Sequence, residues 1–268
     1  MKSLQKTLVA VAGALLFSVG SAAQAGVIID LFQGAQQTAA TSTLNATANS
    51  QSGPYAATSV LGQYRDLSIK KTFDNVGGIN IGESSLSAGG GALQLDNATG
   101  NKSIGVVTWD GINNAGNLGI NVNTTGLGGV DLTAGGVANA ILTGVIAADL
   151  GFNYQIRVWD MDGNKSILSA GVQFPVNPSD NIIADYQFSW FNLASGNYNI
   201  GGLDFNIART GLVDFANIGA LQLELENADR ISVDLAIGSI QTVPEPGVLA
   251  LVGAGLFGVA VAGRRRKA

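Results

Sequence analysis

From Gly26 to Thr242 the sequence never sustains the period of an amphipathic helix. Short runs of alternating apolar and polar residues follow one another instead, separated by clusters of Gly, Asn, Asp and Ser. A chain punctuated in this way builds sheets and little else. Residues 27–32, 65–73, 92–96, 104–110, 140–148, 152–160, 166–174, 185–193, 203–207, 220–226 and 231–237 read as strands. The alternation is clearest where Leu221, Leu223 and Leu225 interleave with Gln222, Glu224 and Glu226, one face for a core and one for water. Residues 33–59, rich in Gln, Ala, Thr, Ser and Asn, read as a surface loop. The Asp-Gly step in 160–164 marks a hairpin, and 140–148, 152–160 and 166–174 are expected to form an antiparallel meander. The fold class expected is all-β: an antiparallel two-sheet β-sandwich, jelly-roll-like, of roughly ten strands, with an open barrel as the alternative.

The two ends have a different grammar. Lys2 and Lys6 precede an apolar stretch over 8–20 and then Ala23-Gln24-Ala25, the order of a secretory signal peptide cut before Gly26. At the other end, Val243-Pro244-Glu245-Pro246 is followed by an uncharged run over 247–263 and then Arg264-Arg265-Arg266-Lys267. The prolines remove two backbone donors and hold the chain extended, so no regular element passes through them. As a helix the run spans roughly 25 Å, close to a bilayer core once Arg264 reaches toward the interface, and the cations place that end on the cytoplasmic side. The organisation expected is a signal peptide and helix at 1–25, a sandwich domain at 26–242 and a tail with a transmembrane helix at 243–268.

Without those ends, which carry six cations and one anion, the chain holds eight basic and eighteen acidic residues, a net charge near −10. Such a surface repels phosphate backbones, and nucleic acid is excluded as a partner. Cys and His are absent. Disulfides, thiolate and imidazole catalysis, and zinc sites built from those residues are excluded with them.

The order of the C-terminal elements resembles the PEP-CTERM sorting signal of exported bacterial proteins: a Pro-Glu-Pro tripeptide at 244–246, a membrane-spanning helix and an Arg-rich terminus at 264–266. The resemblance implies exosortase, a membrane protease cutting near the tripeptide, as a processing partner beside signal peptidase. It further implies a transient stay in the inner membrane, then the cell surface or exterior, in an envelope that makes exopolysaccharide.

Chemistry inside the domain is sparse. Glu83, Glu224 and Glu226 are the only glutamates between the two ends, and Glu224 and Glu226 share a strand face at roughly 6.5 Å spacing. Carboxylate-dependent glycoside hydrolysis needs two such groups across a cleft; solvation on the wet face of a strand is the plainer reading. Asp160, Asp162 and Asn164 alternate oxygen ligands as short calcium loops do, yet Lys165 and Gly171 stand where an EF-hand needs Gly and Glu, and the same residues suit a turn. No other cofactor is expected. Trp109, Trp159 and Trp190 are sugar-stacking platforms if exposed and core residues if not. The expectation is a non-enzymatic exported surface or matrix protein, with a carbohydrate-binding module, and then a glycosidase, as alternatives.

Overall fold

The computed structural model describes residues 26–74, 82–114, 121–148, 150–172, 184–200, 203–227 and 232–244. In chain order the strands are β1 (Ile28–Asp30), β2 (Gln37–Thr41), β3 (Thr47–Ser52), β4 (Arg65–Asp74), β5 (Ser84–Gly89), β6 (Ala92–Asn97), β7 (Asn101–Trp109) and β8 (Ala140–Ala148). They continue with β9 (Phe152–Asp160), β10 (Lys165–Val172), β11 (Ala184–Ser189), β12 (Gly196–Ile200), β13 (Leu203–Thr210), β14 (Ile218–Asn227) and β15 (Leu235–Val243). A 3-10 turn at Leu61–Gln63 is the only helix among the described residues, and none there is long and apolar enough to cross a membrane. The signal peptide and the apolar C-terminal run lie outside the described residues.

The strands form two antiparallel sheets packed face to face. One runs β11-β8-β15-β6-β5-β2, with β1 also paired to β15; the other runs β12-β13-β10-β9-β14-β7-β4-β3. Alternation explains the layering. Along β9, Phe152, Tyr154, Ile156 and Val158 are buried while Asn153, Gln155, Arg157 and Trp159 face outward. Leu221, Leu223 and Leu225 of β14 lie in the same core. Tyr154 stacks on Phe188 at 5.0 Å, and Phe191 stacks on Phe215 at 4.3 Å, filling the space between the sheets with aromatic area.

Three expectations need correction. Residues 33–59 are not a loop: 37–41 and 47–52 are strands β2 and β3, at the edges of the two sheets. They escape an apolar pattern because they are made of Thr, Ala, Asn, Ser and Gln. They are tied instead by Gln37, whose Nε2 donates to the carbonyls of Ser50 (2.8 Å) and Arg65 (3.0 Å) and closes that side of the sandwich. The meander does not form either, since β9 and β10 are a hairpin while β8 lies in the opposite sheet between β11 and β15. The short connection from β8 to β9 therefore crosses between layers. The strands number fifteen among the described residues rather than roughly ten, because polar and short strands such as β5 and β12 carry little hydrophobic signal.

Candidate functional site

The last strand ends where the sorting tripeptide begins. Thr242 and Val243 are the final rungs of β15, paired with Ile141 and Ala140 of β8. Asn139 N donates to Val243 O (3.2 Å), and Gln187 Nε2 donates to Pro244 O (3.0 Å). On the other side of β15 lies the start of the domain. Val27 N donates to Thr242 Oγ1 (2.8 Å) and Thr242 N donates to Val27 O (2.9 Å), while a side chain at Gly26 would run into the Thr242 carbonyl. Glycine is required there by close approach of two backbones. Gly26, the expected first residue after signal cleavage, thus sits against Thr242, two residues before Pro244. Ala23, Ala25, Glu245, Pro246, Arg264, Arg265 and Arg266 lie outside the described residues.

A second region is the outer face of the eight-stranded sheet. Register places Glu224, Gln155, Ser169, Asn206 and Asn197 in one row across five strands, roughly 19 Å long at the usual interstrand spacing. Gln155 Nε2 donates to Ser169 Oγ (2.9 Å), and Asn206 Nδ2 to Asn197 Oδ1 (2.7 Å). Arg157 forks between Gln222 Oε1 (2.8 Å) and Glu224 Oε2 (2.9 Å). A shallow groove here is lined by Glu224 and Glu226 on one wall and by Asn153, Gln155, Ser169 and Gly171 opposite. Both carboxylates come from the same strand, and Glu224 is already ion-paired with Arg157. The opposed carboxyl pair that glycoside hydrolysis needs is not assembled by these groove residues. Glu83 is exposed just before β5 and does not line this groove.

The tryptophans divide. Trp109 and Trp190 are 0% exposed, so neither offers a stacking face. Trp109 Nε1 instead donates to Asp30 Oδ2 (2.8 Å), and Trp190 packs edge-on to Phe215 at 5.4 Å. Trp159 is partly exposed on the outer face, with Lys165 Nζ 5.9 Å from its ring centroid. The two Trp-Asp steps flank β14 but point oppositely: Trp109 is inside, whereas Trp159 is outside and Asp160 is buried.

The turn at 160–164 is organised by donors. Asp160 Oδ1 accepts from the backbone N–H groups of Asp162 (3.0 Å) and Asn164 (2.8 Å); Oδ2 accepts from Asn164 Nδ2 (2.9 Å) and Asp214 N (3.0 Å). Burial alone would raise its pKa, but the donors from Asn164, Asp214 and Asp162 outweigh it and hold the carboxyl below its ordinary range. Four N–H groups occupy the oxygens a cation would use, and Asn164 turns its amide nitrogen inward. The residues expected to begin a calcium loop act here as a hydrogen-bonded turn.

The unexpected carboxylates are Asp66 of β4 and Asp110 after β7. Both are 1% exposed, beneath the segment that follows β7. Asn114 N donates to Asp66 Oδ2 (3.3 Å), and Asn114 Nδ2 donates to Asp110 Oδ2 (3.3 Å), which also receives Asn123 N (2.8 Å). Burial, reinforced by the neighbouring Asp110, pushes Asp66 up to about 7 against the one N–H from Asn114. Burial also raises Asp110, offset in part by Asn123, Ile112 and Asn114. Among the described residues no three Asp or Glu side chains converge on a metal-sized site.

The fold and the junction together define an antiparallel β-sandwich whose final strand runs directly into a C-terminal signal. Residues 242–267 match the PEP-CTERM protein-sorting motif, a signal of exported proteins. No curated protein matches the chain. Solved structures similar to it include an exo-beta-agarase (17% identity, TM-score 0.35), of which the match covers 66% of this chain and 22% of that one. They also include the family 11 carbohydrate-binding module of a cellulosomal cellulase of Clostridium thermocellum (10% identity, TM-score 0.35, 82% and 95% covered). A third is the CBM27-1 module of Caldicellulosiruptor saccharolyticus (14% identity, TM-score 0.26, 66% and 83% covered).

Proposed function

We propose that the chain is an exported, non-enzymatic surface or extracellular-matrix protein. Its sandwich domain is delivered by a signal peptide at 1–25 and released or transferred at the tail beginning with Val243. Signal peptidase and exosortase are the processing partners, the inner membrane is a transient station, and an exopolysaccharide or biofilm matrix is the destination. The observation carrying this reading is the sorting motif over 242–267, abutting a completed strand. The reading is tested by replacing Pro244, Glu245 and Pro246 with alanine in the native host and fractionating the cells. The expected outcome is accumulation of the longer chain in the membrane; normal release of the variant overturns the proposal.

A second reading is favoured by the polar row on the outer sheet face. A row of amide, hydroxyl and carboxylate groups can hydrogen-bond sugar hydroxyls, and a net charge near −10 favours a neutral polysaccharide over an anionic one. In affinity electrophoresis, neutral polysaccharides should retard the protein, and Gln155→Ala with Asn206→Ala should abolish the retardation. Equal mobility with and without polysaccharide ends this reading and leaves a scaffold.

A further inference from the structure

We propose that Lys71 and Asn101 become joined by an isopeptide bond that the folded chain makes by itself, with Asp74 transferring the protons. The geometry begins with a bulge. Three residues apart on a regular strand, Lys71 and Asp74 would point to opposite faces, but the register of β4 on β7 shifts between Lys71 and Phe73. Beyond the shift, Lys71 stands opposite Ser103 and Asp74 opposite Asn101. Directly opposed residues of an antiparallel pair share a face, and here it is the inner one. The side chains of Lys71 and Asp74 are 0% and 2% exposed, and Asn101 is 0% exposed, while Phe73 points outward.

Lys71 Nζ lies 2.9 Å from Asp74 Oδ2 and 3.4 Å from the Gly82 carbonyl oxygen. Asn101 Nδ2 reaches that same oxygen at 3.5 Å, so amine and amide converge on one point. The main chain of Asn101 is fixed: its N–H donates to Ala98 O (3.0 Å) and its carbonyl accepts from Ser232 N (2.9 Å). Its side-chain oxygen is different. Asn101 Oδ1 is buried and accepts no hydrogen bond. A plain buried ion pair accounts for Lys71 and Asp74 but leaves that oxygen sealed from water without a donor, which is costly. In the proposed reaction it has one, the protonated Asp74 across the strand pair.

The chemistry balances without a cofactor or oxidant. Asp74 takes a proton from the Lys71 ammonium and frees the lone pair on Nζ. Nζ then adds to Asn101 Cγ, and protonated Asp74 donates to Oδ1 as negative charge gathers there. The Cγ–Nδ2 bond breaks as the Nζ–Cγ amide is completed. The two protons that Nζ sheds leave with Nδ2 as ammonium, and Asp74 returns to a carboxylate. Fixed neighbours supply the effective concentration that attack on an amide needs, and burial of all three side chains keeps water from competing. The product closes the loop from 71 to 101 and ties β4 to β7, in a chain with no cysteine to form a disulfide.

The test is mass spectrometry of the full chain, kept folded in nonionic detergent, then unfolded and digested with trypsin. The expected peptide spans 71–102, is uncut after Lys71 and is about 17 Da light, the mass of one ammonia. Cleavage after Glu83, the one glutamate in that peptide, should leave its two halves joined. Lys71→Arg keeps a cation beside Asp74 and should give peptide 72–102 at full mass. Asp74→Asn removes the proton carrier and should lose most of the linkage. A parent chain cut after Lys71 with no mass deficit overturns the proposal whether or not the variants fold. So does a deficit whose halves separate after cleavage at Glu83, which is ring closure at Asn101 alone, a deficit that persists in Lys71→Arg, or linkage at the parent level in Asp74→Asn.

Discussion

At the scale of single residues, the structure turns on how each buried charge is answered. Arg65 is 0% exposed, held by Asp30 through Nε (2.7 Å) and Nη2 (2.9 Å) and lying against the rings of Phe32 and Tyr55. Asp30→Ala strips that guanidinium of its counterion and also orphans the Trp109 indole N–H. Its cost should be about 3–5 kcal/mol in urea unfolding, where a loss under 1 kcal/mol would contradict the role assigned here. Asp66 is answered differently, and its linkage sign follows. The unfolded chain ionises near 3.8, while the folded chain holds the proton up to about 7. Between those values the native state binds more protons, so stability is greatest below that window, falls as pH rises through it and levels off above. Asp30, Asp96 and Asp110 are shifted in the same direction. Asp66→Asn should therefore flatten this decline without erasing it, and should be more stable than the parent at pH 8. An unchanged slope between pH 4 and 7 would remove Asp66 from the account. Asp160, shifted the other way, contributes above the ordinary carboxyl range and loses its contribution only in stronger acid.

At the scale of elements, legibility followed the strength of the alternating pattern. Strands with a continuous apolar face, such as β8, β9 and β14, stand where periodicity placed them, because burial of that face fixes the register. The polar edge strands β2 and β3 left no such mark, since an edge strand with water on one side needs few apolar residues. Sheet membership was also illegible. β8 and β9 are neighbours in sequence with equally apolar faces, and nothing local says that the chain changes layer between them. The Asp66–Asp110 pair was hidden for the same reason, because the two residues meet only through the pairing of β4 with β7. A polar seam between layers was equally unreadable. Asn97 accepts from Ser84 (2.9 Å) and Ser103 (2.8 Å) at Oδ1 and donates to Val233 O (2.9 Å) from Nδ2, stitching β5, β6 and β7 to the segment before β15. Asn97→Ala leaves several of these groups buried without partners and should destabilise the fold by about 1–3 kcal/mol, read from the shift of the urea midpoint. A midpoint unchanged from the parent would show that the seam is dispensable.

At the scale of the whole molecule, both ends of the domain leave from one place. The Val27–Thr242 pairing sets the first described residues beside the start of the sorting motif, and Gly26 is fitted against the Thr242 carbonyl. Gly26→Val should prevent β1 from docking on β15 and make the released protein more sensitive to proteolysis at its N-terminus; resistance equal to the parent would contradict the close approach. Thr242 and Val243 are rungs of β15, so the proposed processing is expected at Pro244 or beyond, where it leaves that strand whole. The most direct measurement is the intact mass and terminal sequence of the protein recovered from outside the native host. The account predicts a chain that begins at Gly26, retains Val243 and lacks the Arg-rich end. Recovery of the unprocessed 268-residue chain as a soluble cytosolic species would contradict it.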